Sequence, residues 1–94
     1  MKKDLLKIIE HFGEKAQREY LALEYQELQD EIYKLLNGEE EDILTEIVDV
    51  LVITLQFMAK ANYSFDILEK NIKRELNFKI NRTLERIESG YYEK

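Results

Sequence analysis

The sequence predicts an all-α fold, a small antiparallel helical bundle with three to four helices per chain. Two observations support this prediction: apolar residues recur at spacings of three and four, and proline is absent. Helices need fewer turn residues than loop-rich β folds do. We expect a single domain over residues 1–94. Because a domain of this size buries only about two-thirds of its surface, we also expect oligomerisation to complete the bundle.

The first helical segment is predicted from about Lys2 to Asn37. Gly13 is a weak point at which this segment can divide into two helices. Its apolar face consists of residues at helical spacing, namely Leu21, Tyr25, Leu28, Ile32 and Leu35. The pair Asn37 and Gly38 is typical of a helix C-terminus and ends the segment.

The second segment is predicted from near Glu39 to near Asn62, and the third from Ser64 to Ser89. Four consecutive acids at positions 39–42 lie in the first turns of the second segment, where negative charge suits the helix dipole. Ser64 is a plausible N-cap for the third. Short turns between segments indicate that consecutive helices lie antiparallel.

Composition excludes several classes of protein. The chain has no cysteine, which excludes a disulfide scaffold and a thiolate zinc site. Its net charge of −6 argues against nucleic-acid binding, which usually needs a basic face. The longest apolar run is far shorter than the roughly 20 residues of a membrane span. The polar N-terminus does not resemble a signal peptide, so we expect a cytoplasmic protein with no membrane partner.

Two acidic pairs are the main candidates for a functional site. Glu24 and Glu27 lie three residues apart in the first segment, and Glu46 and Asp49 have the same spacing in the second. Two helices packed side by side could bring the four carboxylates together. Mg²⁺, or alternatively Mn²⁺, prefers such oxygen ligands. A carboxylate nearby could also serve as a base for a water molecule.

A simpler interpretation of these acids stays open. On a helical wheel, one narrow polar stripe of the second segment comprises Asp42, Thr45, Glu46, Asp49 and Gln56. Such a stripe can face water. An edge of the first segment that carries Glu24, Glu27 and Glu31 can be solvated in the same way.

A basic stripe follows in the third segment. Lys79, Arg82 and Arg86 are spaced three and four residues apart, so they share one helix face. They could bind phosphate, arginine as a planar fork and lysine as a point charge. The alternative is a solvated edge that pairs with acids of a neighbouring helix.

The motif Glu24-x-x-Glu27, followed by eighteen residues and Glu46-x-x-Asp49, resembles the signature of the MazG-like nucleotide pyrophosphohydrolases. This family belongs to the all-α NTP pyrophosphatase superfamily. The words His11-Phe12-Gly13 and Lys79-Ile80-Asn81-Arg82 are also similar to family motifs. The resemblance spans residues 8 to 92.

The resemblance implies a Mg²⁺-dependent hydrolase that converts a (d)NTP into the monophosphate and pyrophosphate. It implies that Glu24, Glu27, Glu46 and Asp49 hold the metal and form the catalytic set. It also implies that the basic residues Lys79, Arg82 and Arg86 bind phosphate, and that the active form is a homodimer or homotetramer. We further expect Glu31 to be able to orient the attacking water and Gln17 to be able to contact the nucleoside.

Two alternative functions remain open. Many relatives carry an additional glutamate where this chain has Leu23, which leaves open a nucleotide-binding or regulatory module with little turnover. A purely structural helical oligomer is the other alternative. It would show no change in melting temperature with Mg²⁺ or Mn²⁺, whereas a ligand that binds only the folded state must raise stability.

Overall fold

A computed structural model, which describes residues 1–93, confirms the all-α prediction. The four helices are α1 (Lys2–Phe12), α2 (Glu14–Leu36), α3 (Ile43–Lys60) and α4 (Leu68–Glu88). No strand is present in the described range. None of the described helices is long and apolar enough to cross a membrane.

Gly13 divides the first predicted segment into α1 and α2, as its sequence position indicated. Its backbone has φ 90° and ψ 152°, a combination that is essentially restricted to glycine. The Gly13 N–H still bonds to the carbonyl of Ile9, and its carbonyl accepts from the N–H of Gln17. One residue therefore ends α1 and begins α2.

The C-terminus of α2 also follows the prediction. The Asn37 N–H bonds to the carbonyl of Tyr33, and Gly38 has φ 73°. A positive φ at this position favours glycine and turns the chain out of the helix.

The predicted start of α3 was wrong by four residues. The acids at positions 39–42 precede the helix, which begins at Ile43. Two glutamates satisfy backbone donors at this point: Glu41 accepts from the N–H of Ile43, and Glu31 of α2 accepts from the N–H of Asp42. Acidic side chains therefore support the helix start from outside the helix, where free N–H groups need partners.

The predicted start of α4 was also wrong, whereas its end was correct. Ser64 is not the N-cap: α4 begins at Leu68, after a turn in which the Leu68 N–H bonds to the carbonyl of Phe65. The helix ends before Ser89 and Gly90, and Gly90 has φ 77°.

The backbone contacts divide the chain into two compact units. The first is Met1–Tyr63, and the second begins at Ser64 and contains α4. The single domain expected over residues 1–94 stays a prediction. In the first unit α3 packs against both α1 and α2. The apolar core of this unit consists of Leu5, Ile9, Val50, Ile53 and Ala59.

The predicted apolar face of α2 is only partly its packed face, on which Leu21 and Leu28 are half-buried. Tyr25, Ile32 and Leu35 are largely exposed, and the buried side chains of α2 are Gln17 and Glu24. The reason is that α2 packs against α3 through a side of the helix that carries polar residues. The wheel of α2 alone could not predict this, because hydrophobic spacing normally identifies the packed face.

Candidate metal centre

Polar side chains meet along the seam between α2 and α3 at intervals of seven residues. Gln17 lies against Gln56, Glu24 against Asp49, and Glu31 against the backbone of Asp42. Positions increase along α2 while they decrease along α3, so the two helices are antiparallel, as predicted. Seven residues make two helical turns, so all three pairs lie on one side of each helix.

The middle of the seam contains three acids whose carboxylate groups converge. Glu24 of α2 and Glu46 and Asp49 of α3 each offer one oxygen atom, and these atoms lie within 4.8 Å of one another. We call these three residues the acidic cluster. Glu24 is only 4% exposed, and the other two are half-buried. The part of the polar stripe that contains Glu46, Asp49 and Gln56 therefore faces α2, whereas Asp42 and Thr45 are exposed.

Two carboxylate oxygens of the acidic cluster have no hydrogen-bond partner. Oε2 of Glu24 and Oε2 of Glu46 are both buried and unsatisfied. An unpaired buried carboxylate is costly, because water no longer solvates the charge. Both oxygens could therefore accept a positively charged partner.

Glu27, the fourth predicted acid, is exposed but lies beside the cluster. Burial is the largest cause of the raised pKa of Glu46. The charge of Glu27 and a hydrogen-bonding contact between Glu27 and Glu46 raise this pKa further. Burial is likewise the main cause of the raised pKa of Glu24, with further contributions from Glu27 and Asp49. Three acids of the motif therefore converge, and Glu27 lies beside them at the exposed side of the cluster.

Tyr20 is a member of this site that the sequence analysis assigned no role. A hydrogen bond with the Glu24 carboxylate, together with the charge of that carboxylate, raises the pKa of the phenol. The same contact partly lowers the pKa of Glu24. The available signal was the spacing of four between Tyr20 and Glu24, which places both on one face of α2.

The donor set suits Mg²⁺. Carboxylate oxygens are hard ligands, and Mg²⁺ is usually bound by one or two carboxylates together with waters and substrate phosphates. The cluster contains neither thiolate nor imidazole, the ligands that favour softer metals. Mn²⁺ accepts the same oxygen ligands.

Gln17 and Gln56 form a buried pair at one end of the seam. Nε2 of Gln17 donates to Oε1 of Gln56 over 2.9 Å. Gln56 was predicted only as part of the polar stripe, and its burial was missed. Its position seven residues after Asp49 was the signal that could have revealed it.

Glu31 is occupied at the other end of the seam. Its carboxylate accepts from the Asp42 N–H and from Nζ of Lys34, each over 2.9 Å. These contacts, first that with Lys34, lower the pKa of Glu31. Glu31 therefore supports the start of α3.

The basic residues Lys79, Arg82 and Arg86 lie on α4 in the second unit, at the helical positions predicted for them. Arg82 lies over the ring of Phe78, and Arg86 lies over the ring of Tyr91 at 4.6 Å from its centroid. Such stacking holds a guanidinium group in place while its donors stay available.

No protein-family model, curated protein or solved structure matches the chain. The functional inference therefore depends on the sequence motif and on the geometry of the acidic cluster.

Proposed function

We propose that the protein is a Mg²⁺-dependent nucleoside triphosphate pyrophosphohydrolase that converts a (d)NTP into the (d)NMP and pyrophosphate. The observation that carries this proposal is the convergence of Glu24, Glu46 and Asp49 from two helices, with two buried oxygens unsatisfied. The resemblance of the acidic motif to the MazG-like enzymes supplies the reaction type.

In this proposal Glu24, Glu46 and Asp49 hold the metal ion, and Glu27 lies at the exposed side of the site. A bound divalent ion supplies charge neutralisation for the phosphate oxygens and lowers the pKa of a coordinated water. Tyr20 hydrogen-bonds to Glu24 and orients its carboxylate. Glu31 already accepts hydrogen bonds from Lys34 and from the backbone of Asp42, so it is less available than the cluster acids to orient the water.

We assign phosphate binding to Lys79, Arg82 and Arg86 on chemical grounds. A triphosphate carries about four negative charges at neutral pH, and arginine matches phosphate oxygens in a bidentate manner. The stacked positions of Arg82 and Arg86 support a role in binding, because less side-chain freedom is lost when a ligand arrives.

A homo-oligomer is part of the same proposal. The face of α3 opposite the acidic cluster is apolar, exposed and free of charge. Its members are Leu44, Ile47, Val48, Leu51 and Val52. A second copy of the chain would remove this face from water, which is the usual way in which a small bundle completes its core.

The decisive experiment is product analysis with a panel of NTPs and dNTPs, with and without Mg²⁺ or Mn²⁺. We expect metal-dependent release of pyrophosphate with the monophosphate as co-product. Glu46→Gln and Asp49→Asn should each abolish release while the circular dichroism spectrum stays helical. Glu19→Gln is the matched control, because Glu19 is an exposed acid of α2 outside the cluster. Retained turnover in both cluster variants would exclude this site.

The residue at position 23 supports a second candidate function, that of a nucleotide-binding or regulatory module. Leu23 is exposed at the position where many MazG-like sequences carry a further acid. With one ligand fewer, the site could bind a nucleotide and metal without efficient turnover. Calorimetric binding of a nucleotide that yields no product would favour this regulatory module over the hydrolase.

A further inference from the structure

The buried hydrogen bond between Gln17 and Gln56 has no direct role in the chemistry proposed above. Gln17 is 8% exposed and Gln56 is 1% exposed, so this polar pair lies inside the packed seam between α2 and α3. An apolar pair of the same shape could be as stable, because a buried hydrogen bond replaces bonds to water with little net gain. The pair must therefore be explained by what a hydrogen bond adds, which is direction.

The position of the pair relative to the acidic cluster gives that explanation. Gln17 lies two helical turns before Glu24, and Gln56 lies two turns after Asp49. On an antiparallel pair of helices, these offsets place the amide pair about 10 Å from the carboxylates along the same seam. A rotation or slide of either helix that separates the two amides also moves Glu24 away from Asp49.

The cluster itself cannot hold this register. Its three carboxylates repel one another, and their convergence in the absence of a cation must be enforced from elsewhere. At the other end of the seam, Glu31 bonds to the Asp42 N–H, but this contact is exposed. Of the two flanking contacts, the amide pair is the buried one.

We propose that Gln17 and Gln56 are positioning residues for the metal site: their hydrogen bond fixes the register of α2 against α3 in which Glu24 and Asp49 face the same ion. This inference depends on the proposed metal site and assigns to the two amides a role other than contact with substrate. It predicts that the pair controls metal affinity separately from stability.

Methionine is the suitable replacement, because it matches the length of glutamine and cannot form the hydrogen bond. The test uses the full chain and Mn²⁺ alone, titrated without nucleotide and followed by electron paramagnetic resonance. We expect Gln17→Met/Gln56→Met to unfold at the same urea concentration as the wild type or a higher one. Its Mn²⁺ affinity should nevertheless fall by about tenfold or more, the size of effect that follows when groups that orient metal ligands are changed. The spectrum of the bound ion should broaden as its ligand geometry becomes heterogeneous.

Two further variants separate positioning from general loosening. Gln17→Met alone should also lower Mn²⁺ affinity, and it serves if the double variant does not fold. Ile53→Val removes a methylene group from a buried position of α3 between Asp49 and Gln56, so it should lower stability and leave Mn²⁺ affinity unchanged.

Three results would overturn the inference. Wild-type affinity in the folded double variant would show that the amides do not position the carboxylates. An equal loss of affinity in Ile53→Val would show that any weakening of the interface suffices. A wild-type protein that binds no Mn²⁺ would remove the proposed metal site, and the positioning role with it.

Discussion

Glu24 is the residue on which the metal proposal depends most, because it is the most deeply buried acid of the motif and has an unsatisfied oxygen. Tyr20 gives it one partner, but two neighbouring acids oppose its ionisation. The raised pKa values of Glu24 and Glu46 mean that ionising these carboxyl groups costs free energy when no cation is bound.

This cost predicts how stability depends on pH. Between the ordinary carboxyl pKa of 4.5 and the raised pKa values of Glu24 and Glu46, the folded protein binds more protons than the unfolded chain. These two groups therefore lower the stability of the metal-free protein as pH rises through that window. The lowered pKa of Glu31 acts in a separate window, because its contribution is lost as pH falls below 4.5.

Urea unfolding between pH 4.5 and 7.5 would measure this dependence. In the metal-free state, Glu24→Gln should be more stable than the wild type at pH 7, and its stability should decrease less with pH. Addition of Mg²⁺ should raise the stability of the wild type and not that of Glu24→Gln. Identical pH profiles for the two proteins would contradict the assigned cause.

The sequence predicted the acids of this site but not their polar neighbours. The spacing of three within each pair identified Glu24, Glu27, Glu46 and Asp49. Gln56 and Tyr20 were missed because an isolated amide or phenol has the same pattern whether it faces water or a helix. Only the pairing of α2 with α3 separates these cases.

At the scale of the element, α3 differs from an ordinary amphipathic helix, because acids lie on its packed side together with core residues such as Ile53. Its acids face α2, and several of its apolar side chains, among them Val48 and Leu51, are exposed. The apolar run predicted the helix correctly. Which face of α3 is buried depends on the helices that pack against it, and the sequence of one helix does not specify these contacts.

The helix boundaries show a similar division. Glycines at 13, 38 and 90 ended helices where the sequence indicated, because a positive φ is a local property of the backbone. The starts of α3 and α4 were misplaced. Acids and serine suit both the first turn of a helix and the residues before it, and contacts such as that between Glu31 and Asp42 decide between the two positions.

Gly13→Ala tests the boundary between α1 and α2. Because the backbone there is essentially accessible only to glycine, the substitution should lower the free energy of unfolding by about 1–3 kcal/mol. No atom lies close enough to a new Cβ to cause a clash, so the effect would report backbone strain alone. Urea unfolding measures it, and an unchanged midpoint would show that the chain accommodates the side chain by a local shift.

The whole molecule combines an exposed apolar face with a strongly acidic charge. A net charge of −6 opposes nonspecific association, so self-association must depend on a specific surface. The face of α3 that contains Leu44, Val48 and Leu51 is the surface we propose.

Leu51→Glu tests that surface. If the wild type is the oligomer we propose, a charge in the centre of the apolar face should convert it into monomers at micromolar concentration, as measured by light scattering after size exclusion. Ile8→Glu is the control, since Ile8 is an exposed apolar residue of α1 and should leave the mass unchanged. An unchanged mass for Leu51→Glu would place the interface elsewhere.

Binding of Mn²⁺ by isothermal titration calorimetry tests the metal site most directly. The wild type and Glu19→Gln should bind Mn²⁺ with the same affinity, and excess Mg²⁺ should compete for the same site. Glu24→Gln should remain folded and bind at least tenfold more weakly, about the smallest effect expected when a group in direct contact with the metal is lost. Equal affinity for Mn²⁺ in the wild type and in Glu24→Gln would contradict the account.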